Sequence, residues 1–157
     1  MFHRRPAQAA LLVPVLLIAA CGSSGGSKTQ YVSKAEAICK DANTKVKALT
    51  VPSSPDQLPA YISSVITIAG DATTKLGALS PPSEDKANID AKVLGPLRAQ
   101  LASAAAYLNE FKAAVAAHDS NKETQLALNP PTQTKADLDF MKSYGFHACL
   151  DAVKPGG

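Results

Sequence analysis

Residues 97–115 read LRAQLASAAAYLNEFKAAV. Leu97, Leu101, Ala104, Leu108, Phe111 and Val115 recur at spacings of four, three, four, three and four. An α-helix turns once every 3.6 residues, so these side chains share one face. The near-heptad spacing predicts a long helix packed on other helices. Upstream, Ile89, Val93 and Leu94 extend the stripe. Ser83 is expected to cap this segment, with Glu84 and Asp85 where the helix dipole favours negative charge. Gly95-Pro96 interrupts it and predicts a kink or two abutting helices. His118-Asp119-Ser120-Asn121 loosens the helix, and Lys122 to Leu128 adds a turn or two before Pro130.

The same periodicity appears on both sides. Tyr31, Ala35, Ile38, Ala42, Val46 and Leu49 form an earlier stripe over residues 28–49, with Cys39 at its border. Ser27-x-x-Gln30 is the better start signal there, since Ser33-x-x-Glu36 would strand Tyr31. A second segment, 55–79, opens with Ser54 as cap, Pro55 at the first helical position and Gln57 at the third. Its stripe is Leu58, Ile62, Val65, Ile66, Ala69, Leu76 and Leu79, and Pro81-Pro82 ends it. A fourth, shorter helix is expected over 132–144, capped by Thr134 with Asp137 three residues on. Leu138, Met141 and Tyr144 face inward, and Gly145 sits where a left-handed residue ends many helices. Phe146 and Cys149 then fold back toward the first helix.

The chain holds 28 Ala among 157 residues, and Ala is the best helix former. No Asn-Gly or Asp-Gly hairpin signal is present. The expected class is all-α: one antiparallel bundle of four unequal helices over residues 30–157.

Sixteen basic residues face 13 acidic ones. Two of the basic residues, Arg4 and Arg5, lie in the first 20 positions. Removing that stretch leaves a net charge of about +1, too little for an electrostatic nucleic-acid binder. His3, Arg4 and Arg5 precede twelve residues, Ala9 to Ala20, without a charged or polar side chain. That run is too short to span a bilayer, which takes about 20 residues, and suits the apolar core of an export signal. It ends Ile18-Ala19-Ala20-Cys21, small residues before a thiol.

Ile18-Ala19-Ala20-Cys21 resembles the lipobox of bacterial lipoproteins. The resemblance implies cleavage of the signal 1–20 before Cys21, a diacylglycerol thioether on Cys21 and often a third acyl chain. Two chains anchor a protein stably where one holds it only marginally. Gly22-Ser23-Ser24-Gly25-Gly26-Ser27 follows as a flexible tether over residues 21–29. The expected location is the extracytoplasmic face of the cell membrane.

Assigning Cys21 to lipid leaves Cys39 and Cys149, and outside the cytoplasm two such thiols normally pair. Two free buried thiols or a metal pair are the alternatives. No Cys-x-x-Cys is present for a redox role.

Tyr31-Val32-x-x-Ala35-Glu36-Ala37-Ile38-Cys39 and Tyr144-Gly145-Phe146-x-x-Cys149 resemble segments of small lipoproteins of high-GC Gram-positive bacteria. That resemblance implies a disulfide-closed helical body on a lipid tether, and brings no reaction and no active residues.

His118 and His147 sit in no metal-ligand spacing, and the carboxylates are scattered beside lysines, as on a solvated face. No nucleophile elbow or phosphate loop is present. Neither a catalytic residue, nor a metal ligand, nor a cofactor site is expected. The Ala102, Ala104, Ala105, Ala106, Ala113 and Ala114 stripe reads as core packing rather than a partner groove. Two functions remain. One is a non-catalytic, membrane-tethered interaction or accessory protein of the envelope. The other is a carrier or sensor of a small apolar molecule. A filled core favours the first, and a connected apolar cavity of about 300 Å³ or more favours the second.

Overall fold

The structure, a computed structural model, describes residues 27–131 and 136–153. The signal 1–20, Cys21, Gly22 to Gly26 and Thr134 lie outside the described residues. Every regular element among the described residues is helical.

Helix α1 spans Lys28–Lys47. The Ser27 hydroxyl accepts the Gln30 N–H at 3.3 Å, so the helix starts where Ser27-x-x-Gln30 places it. Lys28 and Thr29, read as tether, are therefore helical. A 3-10 turn, Pro55–Gln57, leads into α2, Leu58–Gly77. Ser54 makes no side-chain capping bond. Gln57 instead reaches back, its Oε1 accepting the Ser53 N–H at 3.0 Å.

The third segment differs at its start. Ser83 bonds the Glu84 carboxylate rather than a helix N–H. Asp85 occupies the cap position of α3, Lys86–Ile89, without a capping bond. Its carboxylate accepts the Tyr144 hydroxyl at 2.6 Å. A π-helical turn, Asp90–Leu94, joins α3 to α4, Gly95–Ala116. The Gly95 N–H donates to the Asp90 carbonyl, five residues back. Pro96 has no N–H for the Lys92 carbonyl four residues back. That carbonyl accepts the Asp137 N–H at 3.0 Å. Two helices thus abut through a π turn at the interruption, where the wider turn absorbs the proline and a distant backbone group satisfies the orphaned acceptor.

His118 ends α4 in the left-handed region at φ 53. Asp119 then caps α5, Ser120–Leu128, by accepting the Lys122 N–H at 3.0 Å. The last segment is two short helices, α6, Leu138–Tyr144, and α7, His147–Val153. Gly145 turns between them at φ 107, as its position predicts. Asp137 caps α6 by accepting the Phe140 N–H at 2.8 Å, which holds its carboxyl below the usual carboxylate range. Leu138, expected inside, is 41% exposed; the inward face of a seven-residue helix is filled by Met141 and Tyr144.

Helix α1 packs against α2 and α7, α2 against α4, and α4 against α5. Two separate apolar clusters form. The larger joins Tyr31, Ala35, Cys39, Leu76, Ile89 and Val93 to Met141, Tyr144, Phe146 and Leu150. The smaller, at the other end of α4, joins Phe111, Ala114 and Leu126. The two sequence motifs flanking the body meet in the larger cluster. Tyr31 stands edge-on to Phe146 and Tyr144 at ring distances of 6.0 and 6.4 Å, contacts worth about 0.5–1.5 kcal/mol each beyond their buried area.

Of the alanine stripe, Ala114 is buried and Ala104 half-buried, while Ala102, Ala105, Ala106 and Ala113 are exposed. Their expected role in core packing is corrected. The helices after α4 are short and cover little of its length, so these alanines serve helix propensity on an open face.

Candidate functional site

Beside the larger cluster the helices stop burying their stripes. Ile62, Val65, Ile66, Ile68 and Ala69 on α2, Val46 on α1, and Leu97 and Leu101 on α4 are only half-buried. A cleft of about 550 Å³ opens there between α1, α2 and α4. Helix α2 supplies one wall, with Val65, Ile68, Ala69, Ala72, Thr73 and Leu76. Helix α1 supplies Cys39, Ala42 and Val46, and α4 supplies Leu97 and Leu101. Met141, Phe146 and the Cys149 end of the disulfide close the remaining side.

The disulfide joins the two body cysteines as the count of thiols predicts. Cys39 and Cys149, 110 positions apart in sequence, are bonded with Cα atoms 4.9 Å apart. Two further contacts clamp α7 to α1 beside it. The Ala148 N–H donates to both Glu36 carboxylate oxygens at 2.9 and 3.0 Å. Asn43 Nδ2 donates to the Ala148 carbonyl at 2.8 Å. The carboxylate at this helix start and the bridge beside it tie the Cys149 wall to α1.

The electrostatics of the cleft are sparse. Its charged lining residues, Lys47 and Asp151, are both exposed and of opposite sign. Tyr31 is buried, and burial, then the Asp90 carboxylate, pushes its phenol up to about 12. It stays a neutral group at ordinary pH. Thr73 is buried in the α2 wall at 7% exposure. The sequence reading named neither Ala72 nor Thr73, although Thr73 stands four residues after Ala69 and three before Leu76, on the same stripe. Skipping a polar residue on an apolar face lost that signal.

The tightest titratable contact lies elsewhere. Tyr144, bonded to Asp85, has its phenol driven upward by burial first and by the Asp85 hydrogen bond second. A phenol that holds its proton and donates to a carboxylate is a structural link between α6 and the start of α3, and neither residue lines the cleft. His118 and His147 are exposed. Among the described residues no group of three or more His, Cys, Asp or Glu is arranged to hold a metal ion. Among them no helix is long and apolar enough to cross a membrane. No protein-family model matches the chain, and no curated protein or solved structure similar to it was found.

Proposed function

We propose that the chain is an extracytoplasmic lipoprotein whose helical body takes up a small apolar molecule in the cleft between α1, α2 and α4. It acts there as a carrier or sensor, without catalysis. Cys21 carries the diacylglycerol anchor, and the body is a four-helix antiparallel bundle in which α6 and α7 together form the fourth arm.

The observation that carries this reading is the cleft. Its volume of about 550 Å³ lies within the roughly 300–1,000 Å³ typical of small-molecule sites. Its buried lining is apolar apart from two neutral hydroxyl groups, on Tyr31 and Thr73. A filled core would have favoured an accessory protein acting through its surface, with an envelope protein as partner.

The test is uptake of N-phenylnaphthylamine, a neutral dye that brightens in apolar surroundings. Wild-type protein is expected to bind it saturably. Ala69→Phe, which puts a ring into the space beside Ile68 and Leu101, is expected to weaken uptake at least tenfold while the melting temperature stays equal or rises. Leu101→Phe is the second filling variant. Equal uptake by wild type and both filled variants, or none by wild type, overturns the reading.

A further inference from the structure

The cleft is closed at one end and open at the other. On α1 its lining passes from buried Tyr31 and Cys39 to exposed Lys47. On α4 it passes from buried Val93 to half-buried Leu101. On α2, read backwards, it passes from buried Leu76 to half-buried Val65, about 16 Å at 1.5 Å per residue. Helix α7 follows the same direction. The Ala148 N–H meets Glu36 and the Ala148 carbonyl meets Asn43, so α7 runs the way α1 runs. It carries exposed Asp151 toward the Lys47 end.

Polarity follows the same gradient. Apart from the Tyr31 and Thr73 hydroxyls, the polar side chains of the lining are Asn43, Lys47, Gln100 and Asp151, and each is half-buried or exposed. A hydrocarbon chain gains by leaving water for the closed end, whereas a polar head would lose its hydration there. At the rim a head keeps water and meets the amides of Asn43 and Gln100, which offer both donors and acceptors. Among the described residues the charged lining is one cation, Lys47, and one anion, Asp151. A charged head of either sign is drawn by one and opposed by the other. An uncharged head is opposed by neither.

The geometry points to a single-chain lipid with an uncharged, hydroxyl-bearing head, held tail-first. Its chain lies along α2 toward Met141 and Phe146, and its head stays at the rim among Asn43, Lys47, Gln100 and Asp151. The inference rests on the cleft being a ligand site, and adds the class of ligand and the direction in which it enters. A compact hydrocarbon would use the closed end alone and gain nothing from the rim.

The experiment displaces N-phenylnaphthylamine from the full-length chain at neutral pH with monolauroylglycerol, dodecanoate, dodecyltrimethylammonium or dodecane, each kept below its micelle threshold. Wild type is expected to prefer the glyceride to the other three. Lys47→Glu, at an exposed position, is expected to raise the dodecanoate concentration for half-displacement about threefold or more. It is expected to lower that for dodecyltrimethylammonium by a similar factor and to leave the glyceride unchanged. Both shifts are expected to shrink at high salt, which screens exposed charges. Gln100→Leu is expected to raise the glyceride concentration about three- to tenfold, the size of one net hydrogen bond, and to leave that for dodecane unchanged. Dye uptake with no opposite shift of the two ions in Lys47→Glu places the head away from the rim and overturns this inference alone. So does a Gln100→Leu variant that leaves the glyceride unchanged or shifts it and dodecane alike, or a wild-type preference for dodecane or either ion. Absence of dye uptake by wild type overturns the ligand-site reading and this inference with it.

Discussion

At the scale of single residues, Cys39 and Cys149 carry the largest single constraint. Closing a loop of 110 positions removes freedom from the unfolded chain worth about 4–5 kcal/mol in the chain-entropy model. Removing both thiols together, Cys39→Ser with Cys149→Ser, is therefore expected to lower the melting temperature by several degrees or more. Circular dichroism melting against the oxidised wild type checks it; an unchanged melt would mean that packing of α7 on α1 closes the body unaided. The pairing was legible from a count of thiols once Cys21 was set aside. The neighbouring clamp was not. Glu36 reads in sequence as one more surface carboxylate near Lys34, yet it receives the Ala148 N–H from 112 positions away.

At the scale of elements, helix starts and stops followed local chemistry wherever the partner groups are near in sequence. Ser27, Asp119 and Asp137 cap by accepting an N–H three residues on, and Gly145 takes the left-handed turn. Ser83 failed as a cap because the segment beside it answers to Tyr144, which draws Asp85. The Gly95-Pro96 interruption was visible, but not the π turn that joins the helices there. A Cβ at Gly95 would lie 3.0 Å from the Asp90 carbonyl oxygen, a backbone atom that cannot swing aside. Gly95→Ala is therefore expected to destabilise the protein by roughly 1–3 kcal/mol, as overpacking does. Gly77→Ala is the control. Its Cβ would meet only the flexible end of Arg98 at 3.1 Å, and a neutral or slightly stabilising effect is expected in a helix. Urea unfolding of the two variants checks the contrast, and equal effects would remove the role given to the π turn.

At the scale of the whole molecule, two separate apolar clusters form, and a cleft opens against the larger of them. A cleft of about 550 Å³ forgoes packing that three facing helices could otherwise make, and large internal space is destabilising unless occupied. The proposed anchor sets where such a site would work. Cys21→Ala is expected to move the protein from the membrane fraction to the soluble one with its melting temperature unchanged. Fractionation of cells checks it, and a variant that stays fully membrane-bound contradicts the thioether anchor.

The amino-acid sequence by itself determined the helical class, most helix boundaries and the pairing of Cys39 with Cys149. Those depend on spacing, caps and thiol number, which act over a few residues or by simple elimination. Tertiary structure alone decided that the central stripes of α2 and α4 stay half-open, that four alanines of α4 face outward, that the Asp137 N–H satisfies the Lys92 carbonyl, and that Thr73 lines the α2 wall of the cleft. Each of these depends on how far apart whole helices come to rest, and that distance is set by the sum of packing in both clusters rather than by any local pattern.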